Sequence, residues 1–124
     1  MSHRKESAVA FLQMAGTGDV RDAYARFIAP GFVHHNPHFK GDRQSLMEAM
    51  EQAHRASPNE AVEVQRTFED GDHVITHSRV VRQDPAASDI AVVHIFRFAG
   101  DRVVELWDVG TELPKDSPNE NGAF

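Results

Sequence analysis

Apolar residues recur every three to four positions through the first half of the chain and every second position through the rest. Ala8, Phe11, Leu12 and Ala15 form one stripe, with Gly16 suited to a C′ stop. Val20, Ala23, Tyr24, Phe27 and Ile28 form a second, behind Asp19 as N-cap and ended by Pro30-Gly31. Phe32-Val33-His34-His35 reads as a short extended piece halted by Asn36-Pro37. A third helix follows, with Asp42 as its cap and Leu46, Met47, Met50 and Ala53 as its buried face; Ser57-Pro58-Asn59 closes it.

Beyond that point Val62, Val64 and Phe68 alternate with polar residues, and Asp70-Gly71-Asp72 turns the chain. His73 to Gln83, Ile90 to Phe98 and Val103 to Val109 are further strands, the last two joined by Ala99-Gly100-Asp101. Three helices followed by four strands with hairpin-length links predict an α+β domain, a mostly antiparallel sheet with helices on one face. The domain is expected over residues 1–112. Residues 113–124, with two prolines and little apolar content, are expected to be irregular, either disordered or laid along a surface as a strap.

Composition narrows the partners. At 124 residues the chain suits one domain with a real core. A formal charge of −6 and no basic run longer than Arg4-Lys5 argue against nucleic acid and anionic membrane. No cysteine is present, so disulfides and thiol catalysis are excluded. The N-terminus lacks the apolar stretch of a signal peptide and nothing later could span a bilayer, so a cytoplasmic location is expected.

Eight histidines bring in chemistry. Val92, His94, Phe96 and Phe98 share one strand face; Val104, Leu106 and Asp108 share a face of the next. One hairpin register sets His94 opposite Asp108; a slip of one residue sets it opposite Trp107. The first is favoured because Phe96, Phe98, Val104 and Leu106 then make one apolar wall. A carboxylate on such a wall is costly to ionise and suits general acid or base work, and a neutral imidazole beside it can donate to an oxygen that gains charge. The plainer alternative is a satisfied strand histidine beside a strand-end aspartate.

Several further residues could line a cleft. His34 and His35 point to opposite faces, so at most one enters, and Asn36 lies beside them. His77 is a candidate, although parity leaves open whether it or Thr76 faces inward. Tyr24, on a helical stripe, suits core packing, yet its hydroxyl could reach a cavity. Trp107, with Val109 and the neighbouring Val93 and Ile95, would leave an apolar patch on the outer sheet face, which predicts a homodimer. A metal site from His35, His77, His94 and Asp108 is conceivable, but no closely spaced ligand motif is present and no metal is expected. No phosphate-binding glycine loop or serine-nucleophile elbow occurs.

Phe32-Val33-His34-His35-Asn36-Pro37, Gly41, Ala91-Val92-Val93-His94 and Gly100 through Val109, with the Pro114 to Gly122 tail, resemble the SnoaL-like polyketide cyclases of the nuclear transport factor 2-like superfamily. The tail is similar to a bacterial subgroup of predicted aldol-condensing proteins. The resemblance implies a cone-shaped fold: a curved mixed sheet wrapped around three helices, an apolar pocket and a homodimer. It implies Asp108 as acid/base with His94 on the preceding strand, and His35-Asn36 near the cavity rim. The first helix lacks the tyrosine of ketosteroid isomerases. The Arg-x-Asp of limonene epoxide hydrolases occurs only as Arg82-Gln83-Asp84, at a strand exit beside Pro85. Both activities are therefore disfavoured.

These readings lead to a cofactor-free aldol-type cyclase or isomerase, with Asp108 and His94 catalytic and His35, Asn36, His77, Tyr24, Phe96 and Trp107 binding a small apolar or carbonyl-containing ligand. The alternative is a non-catalytic ligand-binding or stress-associated module of the same fold.

Overall fold

The computed structural model describes residues 2–124. The order is α1 (His3–Gly16), α2 (Val20–Phe27), β1 (Ile28–His34), α3 (Arg43–Ala56), β2 (Asn59–Asp70), β3 (His73–Arg82), β4 (Ile90–Ala99) and β5 (Arg102–Glu112). The strands form one sheet in the order β1-β5-β4-β3-β2, parallel between β1 and β5 and antiparallel elsewhere. The fold is α+β with a mixed, mostly antiparallel curved sheet.

Caps and turns follow local chemistry. The Ser2 hydroxyl accepts from the Lys5 amide and the Asp42 carboxylate from the Ser45 amide, each satisfying an orphan donor of a first helical turn. Gly100 opens the two-residue β4–β5 turn at φ 62°, a conformation side chains resist. Asp19 stands at the N-cap of α2, but its side chain makes no capping bond. Gly16 is the last residue of α1 rather than its C′ stop, and a Cβ there would lie 2.4 Å from Val62 Cγ2. Its role is close packing of helix on strand.

Strand geometry corrects several expectations. Five strands form rather than four, because the chain leaves α2 at Phe27 and Ile28 already pairs with Val103. Pro30-Gly31 therefore lies within β1, an edge strand whose pairing is interrupted between Ile28 and Val33, so the missing proline N–H breaks no ladder bond. In β2 a bulge between Val64 and Arg66 turns Phe68 outward, where it is exposed opposite Ile75. Ala53 of α3 is exposed, leaving Leu46 and Met47 as the buried anchors.

The core lies between the helices and the concave sheet face. Phe11 sits edge-on to Tyr24 and Phe96, at centroid distances of 5.5 and 6.1 Å, and all three are fully buried. In the β4–β5 hairpin, Ala99 pairs with Arg102 and Phe98 with Val103, but Arg97 pairs with Glu105. Val104 is the extra residue of this bulge, and Val103 replaces it in the apolar wall. The tail after Glu112 has neither helix nor strand. It runs back over the convex face, where the Phe124 ring packs 5.0 Å from that of His77 and under the Arg79 guanidinium.

Candidate active site

The β4–β5 bulge decides what faces the interior. At the hairpin tip the register would set His94 against Trp107; the extra residue shifts it, and His94 stands opposite Asp108. Both line a cavity of about 1070 Å³ between the sheet, α1 and α3, at the upper end of the range for small-molecule sites. Its walls are mainly apolar, with Phe11, Leu12, Leu46, Val62, Val92 and Leu106 among them. A shallower depression of about 570 Å³, at Pro30–Phe32 and Asp42–Gln44, holds none of the candidate residues.

Burial pushes the His94 imidazolium pKa down to about 4, and the nearby Asp108 carboxylate offsets this only in part. His94 is therefore neutral near pH 7. Its Nδ1 is enclosed without a protein partner, as is the hydroxyl of Thr76, its neighbour on β3. His94 makes no hydrogen bond to Asp108 among the described residues. The group that holds the carboxylate is Asn36, whose Nδ2 donates to Asp108 Oδ2 at 3.1 Å.

Asn36 is itself fixed by a buried histidine. The His34 ring accepts from the Asn36 amide through Nδ1 at 3.1 Å and donates from Nε2 to the Lys40 carbonyl at 2.7 Å. These two bonds require the neutral Nε2–H tautomer. Asn36 Oδ1 accepts from the His38 amide at 3.0 Å. The loop after β1 is thus stapled from within, and it aims one amide at Asp108.

The remaining candidates divide. His35 and Trp107 stack at 4.9 Å and both border the cavity; His35 Nε2 also meets Glu105 at 2.6 Å. His35 first, then Arg97, holds the Glu105 carboxyl below its usual range. Tyr24 and Phe96 do not line the cavity. Both are fully buried, and the Tyr24 hydroxyl contacts Met50 Sδ, because the tight aromatic cluster leaves neither ring a free face. Burial raises the Tyr24 phenol, removing it from proton transfer. His77 is on the convex face beneath Phe124, since Thr76 takes the inward position of β3. It cannot converge with His94 on a shared ligand.

His54 and Arg82 also line the cavity, and neither was expected there as a site residue. His54 continues the Leu46–Met50 face of α3 at four-residue spacing, and Arg82 continues the inward parity of Thr76, Ser78 and Val80 on β3. Those periods were the available signal.

The SnoaL-like domain family matches residues 8–106. The chain belongs to that family. The matched stretch includes His94 and Asn36 and stops just short of Asp108. No curated protein matches this SnoaL-like chain. Its fold is similar to an NTF2-like protein of unknown function from Burkholderia xenovorans, with 20% identity over 94% of this chain and 88% of that one, TM-score 0.72. It is also similar to a candidate polyketide cyclase from Acidithiobacillus ferrooxidans, at 19% identity, 88% of each chain and TM-score 0.75. An LEH-like epoxide hydrolase from M. tuberculosis shares 18% identity over 86% of this chain and 80% of that one, TM-score 0.68. At such identities the likeness establishes the fold alone.

Proposed function

We propose that this SnoaL-like protein removes a proton from carbon next to a carbonyl and directs the resulting enolate into an aldol condensation, cyclisation or isomerisation. The observation that carries this reading is an acid and a neutral imidazole on one rung of a hairpin, at the wall of a large apolar cavity. Asp108 takes the proton, and the C–H electron pair becomes the enolate double bond as the carbonyl π pair moves onto oxygen. His94 donates an N–H to that oxygen. A neutral donor suits an oxyanion better than an imidazolium, which would protonate it outright. Asn36 holds Asp108 in place. The nucleophile is the substrate's own carbanion, so no cofactor is required. An epoxide hydrolase reading is less well supported: Asp84 lies in an exposed turn, accepting from the Ala86 amide, away from Arg82 at the cavity.

The test needs no natural substrate. Incubation with a panel of aryl and alkyl ketones in deuterium oxide, followed by NMR, reads exchange of α-protons. Asp108→Asn keeps the shape without the base and is expected to lower exchange by about 10²–10⁴-fold with the fold intact. Exchange surviving within a few-fold removes Asp108 as the base. Ketones that bind without exchanging support the ligand-binding alternative.

We also propose a homodimer through the convex sheet face, supported by exposed Val93 and Val109 there.

A further inference from the structure

Three residues of the cavity lining each carry a buried polar atom with no protein partner, and all three atoms are nitrogens: His94 Nδ1, His54 Nδ1 and Arg82 Nε. They lie in two groups. His94 shares its rung with Thr76, whereas Arg82 stands six residues further along the same inward face of β3, from position 76 to 82. That is about 20 Å of strand at roughly 3.3 Å per residue. Val80, Val92 and Ile90 of β3 and β4 lie along the lining between these two ends.

The far end is a built corner. Arg82 Nη2 donates to the carbonyl and hydroxyl of Ser57, where α3 ends, and the Arg82 amide donates to Asp89 Oδ1 at 3.0 Å. The side chain is anchored through one nitrogen only. Among the described residues Nη1 and Nε meet no acceptor, and no carboxylate pairs with the guanidinium. The Asp89 side chain is taken by Arg79 and the Arg82 amide, and Glu112 is exposed at the cavity rim. His54, in the last turn of α3, also lines the cavity, with its ring lying against Gly18. The guanidinium thus keeps its charge without a carboxylate partner, and its free Nη1 can donate to one oxygen of an incoming carboxylate.

We propose that Arg82 forms a carboxylate-binding subsite, so that the molecule accepted is an elongated apolar compound with a carbonyl at one end and a carboxylate at the other. The carbonyl half of this statement rests on the reading of Asp108 and His94 above; the carboxylate half does not. The subsite would set substrate register: with the carboxylate on Arg82, the chain lies along the apolar wall and its carbonyl reaches the His94 rung.

The test is calorimetric binding of a matched pair: a long-chain linear methyl ketone carrying a terminal carboxylate, and the methyl ester of the same compound. The wild-type protein is expected to bind the acid at least tenfold more tightly than the ester. Arg82→Gln is expected to bring the two within about twofold, with ester affinity unchanged, and Arg82→Lys to keep part of the preference. Asp108→Asn should keep the whole preference even where α-proton exchange is gone, which separates failure of the subsite from failure of the proposed chemistry. Equal binding of acid and ester by the wild type, no binding of either, or an Arg82→Gln variant that loses both equally would overturn the assignment. The wild-type ratio stands as a test even if Arg82→Gln does not fold.

Discussion

At the scale of single residues, two histidines serve the candidate site in different ways. His34 must accept from one amide and donate to one carbonyl, so it works as a staple. His94 is neutral because burial disfavours its charge, lowering its pKa from 6.5 in the unfolded chain to about 4. Between those values the unfolded chain binds a proton that the folded chain refuses. His94 therefore costs nothing above about pH 7, costs stability progressively as pH falls to 4, and adds no further cost below. Urea unfolding should lose on the order of 2 kcal/mol between pH 7 and pH 5 in the wild type, and much less in His94→Phe. Parallel pH profiles would show that His94 titrates freely. Asp42, Asp89 and Glu105, all held below their ordinary values by hydrogen bonds, act in a lower window: their stabilisation is present above the unfolded carboxylate range and lost as pH falls through it. Asn36→Leu keeps the branched outline of the side chain but removes its donor to Asp108 and its acceptor for the His38 amide. It is expected to lower α-proton exchange about tenfold while leaving ketone binding within a factor of two, since a hydrogen bond to a charged group contributes about 1.5–3 kcal/mol.

At the scale of elements, the β4–β5 bulge does the selecting. Val103 and Val104 together fill one place opposite Phe98, and every residue beyond them is offset by one. Deleting one of the two valines leaves Phe98 opposite a valine and His94 opposite Asp108, while removing the local twist the bulge supplies. The deletion variant is expected to fold, with a lower Tm, and to keep contacts between His94 and Asp108 by NMR. Inserting one alanine between Leu106 and Trp107 should instead carry Asp108 to the convex face and abolish exchange. A deletion that loses the His94–Asp108 contact would mean the bulge sets more than register.

At the scale of the whole molecule, the candidate site lies on the concave face, and the convex face carries the tail and the exposed Val93 and Val109. Phe124 on His77 and Arg79, with Lys115 reaching the Pro85 carbonyl, ties the tail across that face. Light scattering at micromolar concentration is expected to report a dimer, and Val109→Glu to shift it towards monomer, because a charge there would be buried in the interface. A wild-type monomer under those conditions would remove the dimer. Truncation before Pro114 should cost about 1–2 kcal/mol through the lost Phe124 contact and leave exchange unchanged, since the tail does not line the cavity.

The sequence by itself determined what is local. Helical stripes, the Asp42 cap, the glycine at the β4–β5 turn and the alternation along β3 and β4 follow from spacing of three to four or of two, which neighbouring residues impose on one another. The helical stripe of α2 carried Ile28 one residue too far, because the tertiary pairing of β1 with β5 claims it. The choice between His94 facing Asp108 or Trp107 was visible as a pair of alternatives, and the apolar wall favoured the right one. The bulge that reconciles a regular turn with that register required the whole sheet. Only tertiary structure decided that Asn36 holds Asp108 from 72 positions away, that Thr76 rather than His77 faces inward, and that Arg82 meets the end of α3 at Ser57. Period assigns a side chain to a face of its own element. What that face meets depends on how elements separated by tens of residues are packed, and the energies that fix this are burial and hydrogen bonding summed over the fold.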